Sequence, residues 1–344
     1  MTRYIVRRLL QAIPLLFFIS LILFLLMRST GDPVAMMGGR RVMRPEDRAR
    51  LARLLGLDKP LIVQYVYWLI GNDWVKIDAD GDGVTETSGS QKGVLRGEFG
   101  KSLVTRGKPA LDIILERLPN TLLLMIPAEV IVILFSLVVG IYSALRQYSF
   151  TDHLITTFSF VGYSMPIFFI ALVSMYLFAV KFKHWGLPYL PTVGMFDPQV
   201  GKTTLQVARH MVLPIFSMTI ITIAGYSRFV RSTMLEVIGE DYIRTARAKG
   251  LQERVILFVH ALKNASLPLV TIVGLDVPLL LGGAIVTESI FAWPGMGRLF
   301  LDHVSRADTS VVMGILMLIS VAVVFSQLVT DVIYAWLDPR IRYQ

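Results

Sequence analysis

The residues best suited to metal chemistry lie in the segment DADGDGVTE, residues 78–86. Three aspartates at alternate positions followed by glycine reproduce the D-x-D-x-D-G opening of a calcium loop, in which hard oxygen ligands converge. The glutamate that such a loop carries at position twelve is replaced by Gly89. The candidate calcium ligands are Asp78, Asp80, Asp82 and Glu86, and the alternative is a solvated acidic turn.

A second segment, GEFGKS at residues 97–102, resembles the end of a phosphate-binding P-loop. The motif G-x-x-x-x-G-K-[ST] needs a glycine five residues before Gly100, and that residue is Leu95. We therefore predict a turn rather than an ATP site. The chain has no cysteine and shows no H-E-x-x-H or Ser-His-Asp order, so we predict that it is not an enzyme.

These candidates must be positioned by a membrane-embedded scaffold, because 54% of the 344 residues are hydrophobic and only 17% are charged. A bilayer core requires about 20 apolar residues in a helix. The first run exceeds a signal-peptide core, so we expect a retained helix. The sequence predicts an all-α membrane protein with six transmembrane helices, at residues 9–26, 121–145, 154–180, 211–226, 267–290 and 309–337.

The distribution of lysine and arginine predicts the orientation of these helices. Basic residues of the short loops concentrate on the side that holds both termini, which the positive-inside rule assigns to the cytoplasm of a cell with an inner membrane. We attribute the net charge of +9 to this bias and to anionic lipid headgroups rather than to nucleic acid. Residues 29–118 would then form an extracytoplasmic, partly folded loop. This loop contains a predicted short helix that begins at Pro45 and stops near Gly56, followed by an apolar piece at residues 61–71.

Four acidic residues lie within the apolar runs, where an ionisable group is costly and usually faces a cavity or a partner. Asp276 is the most central of them, and we expect it to face the substrate pathway and to attract an ammonium group. Water or arginine side chains are expected to reach Glu288 and Asp331 near the span ends, and Glu129 is expected to bond to a neighbouring subunit. Pro166 is expected to kink its helix.

A charged segment, GEDYIRTARAKGLQERV at residues 239–255, interrupts the apolar runs. Acidic residues fall in the first turn of a predicted cytoplasmic helix, basic residues follow, and Gly250 is placed to cap its end. The small Ala246 and Ala248 would allow close approach of another surface. The alternative is an ordinary basic loop on the cytoplasmic side.

GEDYIRTARAKGL, followed by HALKNASLPLV at residues 260–270, resembles the signature loop of permease subunits of binding-protein-dependent ABC importers. The general Glu-Ala-Ala opening is replaced here by Arg244-Thr245-Ala246, as in the dipeptide, oligopeptide and nickel branch. GYSMPIF (162–168), TESIFAWPGMGR (287–298), DPRIR (338–342), GDP and GLDKP are also similar to that branch. The whole set resembles the B-type permease of peptide importers.

The resemblance implies the type I importer permease fold, with a first helix at residues 1–28, an outside loop at 29–118, and a five-helix core at 119–344 that carries a coupling loop at about 231–263. It implies that residues 241–250 form a coupling helix docked on an ATP-hydrolysing subunit. The implied coupling residues are Glu240, Asp241, Tyr242, Arg244, Thr245, Ala246, Arg247, Lys249 and Gly250, and the pathway candidates are Asp276, Met165 and Pro166.

The implied partners are a second, related permease, two ATP-binding subunits that hold ATP and magnesium, and an extracytoplasmic solute-binding protein. Peptide is the implied cargo, with nickel chelates, glutathione and sugars as alternatives. Two functions of other classes stay open. An ion-driven secondary transporter would use Asp276 and Glu288 as coupling sites, and a membrane-bound enzyme or receptor would use the outside loop.

Overall fold

The computed structural model describes residues 2–29, 44–78, 83–102, 104–105, 107–282 and 284–337. These residues are mostly helical, as predicted, with one short β-hairpin. The helices are α1 (Thr2–Ser29), α2 (Pro45–Leu54), α3 (Leu61–Ile70), α4 (Ala110–Leu145), α5 (Phe150–Ser164), α6 (Ile167–His184), α7 (Thr204–Ile238), α8 (Asp241–Ala248), α9 (Glu253–Ala265), α10 (Leu267–Gly282), α11 (Ile285–Ile290), α12 (Met296–Val304) and α13 (Thr309–Leu337).

Five of the described helices are long and apolar enough to cross a membrane, namely α1, α4, α6, α7 and α13. A sixth span exists if α9 and the first part of α10 count as one, although the pair is bent by 45° between Ala265 and Leu267. The predicted count of six therefore depends on this bent pair. The predicted run 267–290 is not one helix, because α10 ends at Gly282 and α11 starts at Ile285.

The predicted span 154–180 is wrong as a single helix, because the chain breaks between α5 and α6. Met165 adopts extended backbone angles (φ −83°, ψ 134°), and Pro166 precedes the first residue of α6. A residue before proline is disfavoured in the helical region, and proline supplies no N–H donor. The spanning helix is α6 alone, and it contains a π-helical stretch at Tyr176–Lys181.

Helix α7 extends well beyond the predicted span 211–226. It begins after Thr203, whose Oγ1 accepts a hydrogen bond from the Gln206 N–H, and it continues through Pro214 to Ile238. Its last turns remain helical because they carry buried residues such as Val230 and Met234. The helix therefore leads directly into α8.

The chain forms two compact units, and one of them contains residues 10–118 and 299–321. Within this unit α2 stops at Gly56, whose positive φ of 66° forms a left-handed cap. Helix α3 packs on α1, where the Tyr65 Oη and Ser20 Oγ lie 2.7 Å apart. Strands β1 (Lys76–Ile77) and β2 (Thr87–Ser88) pair antiparallel. The predicted short helix and apolar piece are thus both present.

The other unit contains residues 1–9, 119–298 and 322–344. In the described residues of this unit, one buried apolar cluster joins α4, α7, α8, α9 and α10 around Met234, Ile243 and Ile256, each with no exposed surface. Helices α4 and α7 approach closely at Gly140, where an added Cβ would overlap the Val230 side chain and the Ser227 carbonyl. This packing positions the charged segment that follows α7.

Candidate coupling site and membrane charges

The candidate coupling helix, α8, is attached to the body of the chain by one apolar edge. Ile243 is fully buried and Ala246 is 7% exposed, and both belong to the cluster around Met234. The two positions are three residues apart, so they lie on the same helix face. The small side chain of Ala246 allows close approach of this chain's own core, and its role towards a partner stays a prediction.

The opposite face of α8 is exposed and charged. The Asp241 side chain is 95% exposed and the Arg244 side chain is 71% exposed. The other sequence-predicted coupling residues that are exposed in the described chain are Glu240, Tyr242, Thr245, Arg247, Lys249 and Gly250. One face is therefore anchored and the other is free to meet a surface of mixed charge.

Gly250 ends α8 by a Schellman motif. Its N–H donates to the Arg247 carbonyl at 2.9 Å, and the Leu251 N–H donates to the Ala246 carbonyl at 3.3 Å. The φ of Gly250 is +76°, in the left-handed region that favours glycine, and an added Cβ would meet no atom within 4 Å. The sequence prediction of a cap at Gly250 is confirmed, and its requirement for glycine comes from backbone conformation rather than from crowding.

Two further contacts fix the segment around α8. The Arg247 guanidinium forms a salt bridge with Glu253 at 2.7 Å and holds the pKa of that carboxyl below its usual range. The Asn264 Nδ2 of α9 donates to the Tyr242 Oη at 2.8 Å. Both pairs are solvent-exposed, so each adds little stability, on the order of 0–1 kcal/mol. Their main effect is to set the orientation of α8 against α9.

Asp276, the pathway candidate, already has a partner in the described chain. The Tyr226 hydroxyl of α7 donates to one oxygen of its carboxylate. Glu129 of α4 lies close enough to interact electrostatically with both, and its Oε1 is buried without a hydrogen-bond partner in the described chain. Met165 is 37% exposed at the break between α5 and α6, and Pro166 is also exposed. Three helices therefore bring two carboxylates and a phenol together at Asp276.

Glu288 is fully buried, so the expectation that water or an arginine side chain reaches it is wrong. Its carboxylate accepts hydrogen bonds from the Thr121 Oγ1 at 2.9 Å and from the Arg298 N–H at 3.0 Å. The Thr121 Oγ1 in turn accepts from the Met296 N–H at 2.6 Å, and an added Cβ at Gly295 would overlap the carboxylate. Glu288 thus organises the turn TESIFAWPGMGR against the start of the α4 span.

Sequence reasoning missed this role because Thr121 lies far away in the chain. The sequence does contain a signal for this role, because Glu288 shares the short motif TESIFAWPGMGR with two glycines. Glycine allows backbone to approach a side chain closely, so the motif indicates a carboxylate enclosed by backbone. For Asp331, the expectation of an arginine partner is confirmed, since the Arg8 Nε lies 3.0 Å from its Oδ2.

The side chains of Ser102, His303 and Asp308 lie together in the structure, but they are not arranged as a catalytic triad. The Ser102 Oγ donates to the Asp308 Oδ2 at 2.5 Å, and the His303 Nδ1 lies 3.0 Å from the same oxygen. Burial raises the pKa of Asp308, but the hydrogen bonds from His303, Ser102 and Val104 more than offset it, so the pKa lies below its usual range. Ser102 and His303 both bond to the aspartate, and no hydrogen bond joins them to each other among the described residues, so the histidine is not placed as a base for the serine.

GEFGKS is a turn only at its start: Gly97 ends the 3-10 turn Val94–Arg96, residues 98–100 have no regular structure, and Lys101 forms an antiparallel bridge with Pro109. Gly97 and Gly100 have positive φ values, and the Ala110 N–H donates to the Gly100 carbonyl at 3.0 Å. In the calcium candidate, the Gly83 N–H donates to Asp78 at 2.9 Å, while Asp80 and Asp82 lie outside the described residues. The described residues contain no group of three or more His, Asp or Glu side chains suited to a metal. Calcium binding with Glu86 stays a prediction.

Comparison with known proteins adds a family to this geometry. Residues 136–343 match the model of the binding-protein-dependent transport system inner membrane component, and residues 1–125 match the model of the N-terminal part of such components. The oligopeptide transport system permease protein AppB of Bacillus subtilis is 38% identical over the full length of both chains. The dipeptide transport system permease protein DppB of Escherichia coli K12 is 36% identical, also over all of both chains.

Two observations point to the same family. The structure has a charged helix, α8, anchored on a helical membrane body, and the family models match both the N-terminal and the C-terminal part of the sequence. The chain belongs to the family of inner membrane components of binding-protein-dependent transport systems.

Proposed function

We propose that this chain forms half of the translocation pathway of an ATP-driven importer of di- and oligopeptides. Two observations support it: the family match, and relatives of equal length that are named as oligopeptide and dipeptide permeases. A second, related permease would complete the pathway, two ATP-binding subunits would hydrolyse ATP with magnesium, and a solute-binding protein would deliver the peptide. Both termini and α8 would face the cytoplasm, and residues 29–118 would face outward.

The observation that carries the mechanism is the division of α8 into a buried edge and an exposed charged face. Ile243 and Ala246 transmit any displacement of α8 to α4, α7 and α9, because all share one close-packed cluster. Asp241 and Arg244 lie on the free face, where an ATP-binding subunit would dock. ATP binding and hydrolysis would then move α8 and switch the pathway between outward and inward access.

We place Asp276 on the substrate pathway. Met165 and Pro166, at the break between α5 and α6, are the other two residues that we assign to it. A carboxylate within a membrane-embedded helix bundle attracts a cation at a low local dielectric. A peptide brings such a cation in its amino terminus. The Tyr226 hydroxyl donates to one oxygen of this carboxylate, and the substrate ammonium would bind at the other.

Single-cysteine labelling tests the docking face, because the native chain contains no cysteine. Arg244→Cys should react with a membrane-impermeant maleimide only from the cytoplasmic side, and the partner ATP-binding subunits should protect it. The matched control Thr85→Cys lies on an exposed residue of the first loop. It should react from the outside and stay unprotected.

Equal labelling of Arg244→Cys with and without the ATP-binding subunits would refute docking on α8. Labelling of Thr85→Cys and Arg244→Cys from the same side would refute the proposed orientation. Because each variant changes one exposed side chain, loss of folding is not an expected source of either result.

A further inference from the structure

A buried aspartate near the coupling helix holds three helices together. Asp152, in the first turn of α5, is 2% exposed. Its carboxylate accepts hydrogen bonds from the Ser143 hydroxyl at the end of α4 and from the Tyr148 N–H in the connecting turn at 2.9 Å. The Arg231 side chain of α7 supplies two more, from Nε and Nη2, each at 3.0 Å. The aspartate thus receives four donors from three elements.

The contact between Arg231 and Asp152 has a specific geometry. A two-pronged arginine contact fixes both distance and angle between its partners, which a lysine cannot do. Arg231 holds the pKa of Asp152 down to about 2 despite burial. Tyr148 adopts a positive φ of 60°, an uncommon conformation for a tyrosine. Tyr148 lies in the turn between α4 and α5, and in this conformation its backbone N–H donates to the Asp152 carboxylate.

Another residue of α7 also brings a charge to α5: the Arg228 guanidinium lies 4.2 Å from the centre of the Phe160 ring, a cation–π interaction that is weak at an exposed site. Further contacts between the two helices are apolar. Gly162 of α5 faces Ile220 and Ala224 of α7, and Gly225 of α7 faces the Tyr163 ring. Apolar contacts with small residues allow close approach but are not directional. The Asp152 side chain is 3% exposed and the Arg231 side chain is 26% exposed, and the two directional hydrogen bonds between them define one arrangement of α5 against α7.

The place of the pair in the chain connects it to both functional regions. Arg231 lies beside Val230 and one turn before Met234, and both of these residues pack in the same cluster as Ile243 of α8. At its other end α5 stops at the break formed by Met165 and Pro166. The ion pair therefore joins α7, which leads into the coupling helix, to α5, which ends at the helix break.

We propose that Asp152 and Arg231 are positioning residues that make α5, and the helix break at its end, move together with α7 and the coupling helix. The inference rests on the proposed function. Without the pair, α8 would still dock and ATP would still be hydrolysed, but the movement would reach α5 incompletely. The pair would thus convert ATP turnover into opening of the pathway.

Arg231→Lys tests this role, because it keeps the positive charge and loses the two-pronged contact. Arg146→Lys is the matched control, since it makes the same change at an exposed residue of the turn between α4 and α5. In vesicles carrying the assembled importer, we expect Arg231→Lys to keep ATP hydrolysis within about twofold of the wild type. Peptide uptake should fall several-fold, so the ATP hydrolysed per peptide rises, and the control should leave this ratio unchanged.

If Arg231→Lys hydrolyses as much ATP per peptide as the wild type, the inference is overturned and the proposed function stands. If the wild type itself shows no ATP-dependent uptake, both the proposed function and this inference are refuted. A purely structural role predicts equal losses of assembly, hydrolysis and uptake. To separate these further, Asp152→Cys and Arg231→Cys can be combined in the cysteine-free chain and joined by a short bifunctional thiol reagent. Restored uptake after cross-linking is expected, and failure of restoration in a fully assembled complex would contradict the positioning role.

Discussion

Substitution of Gly250 measures how much transport depends on the cap of α8. A left-handed conformation costs a residue with a Cβ about 1–2 kcal/mol, and Gly250 has a φ of +76°. No atom lies within 4 Å of an added Cβ, so steric overlap contributes nothing and the backbone cost is the whole effect. A change of this size shifts the balance between capped and frayed helix ends about 5- to 30-fold.

The series Gly250→Asn, Gly250→Ala and Gly250→Val orders the side chains by their tolerance of this conformation. Asparagine tolerates it, alanine pays the ordinary cost, and a β-branched valine is the worst. We expect ATP-dependent uptake in vesicles, at equal amounts of assembled complex, to fall in that order, with the valine variant several-fold below the wild type. Equal uptake by the asparagine and valine variants would refute the reasoning.

Substitutions at four further residues test the structural assignments. Ile243→Ala removes a fully buried anchor and should destabilise the packing of α8 by about 2–5 kcal/mol, visible as a lower melting temperature; an unchanged melting temperature would show that α8 is not anchored there. Glu288→Ala leaves the Thr121 hydroxyl and the Arg298 N–H without their acceptor, so it should lower the melting temperature more than Glu288→Gln, and the reverse order would be inconsistent with the buried hydrogen bonds. Asp276→Asn should reduce uptake of peptides with a free amino terminus more than of amino-blocked peptides; unchanged selectivity would remove Asp276 from the pathway. The pKa of Asp152 is about 2 in the folded chain and 3.8 ordinarily, so its stabilisation is present above about pH 4 and is lost as the pH falls towards 2; the difference in melting temperature between wild type and Asp152→Asn should shrink across that window, and a constant difference would be evidence against the ion pair.

The sequence predicted the elements whose signals are local. The apolar runs of α1, α4 and α13 satisfy the length that a bilayer requires, and all three are long helices. The cap at Gly250 was predictable because helix termination depends on a few neighbouring residues. Apolar length alone predicts a continuous helix through Met165 and Pro166, whereas the chain ends a helix there because proline supplies no N–H donor.

The features that sequence reasoning missed depend on partners far apart in the chain. The burial of Ala246 is set by α7 and α9, so helical spacing alone could not tell which face of α8 is free. Glu288 and Thr121 are separated by 167 positions, and Asp152 and Arg231 by 79. A charged residue in an apolar run signals that a partner exists, but only tertiary contacts identify that partner.

ATP-dependent uptake of a labelled dipeptide tests the central claim most directly. Vesicles would carry this chain with its partner permease, two ATP-binding subunits and the solute-binding protein, and uptake would be compared with ATP, without ATP, and with ATP after ionophores collapse ion gradients. An importer coupled through α8 predicts accumulation that requires ATP and survives the ionophores. Accumulation that proceeds without ATP and disappears with the ion gradients would contradict it and would favour an ion-driven transporter.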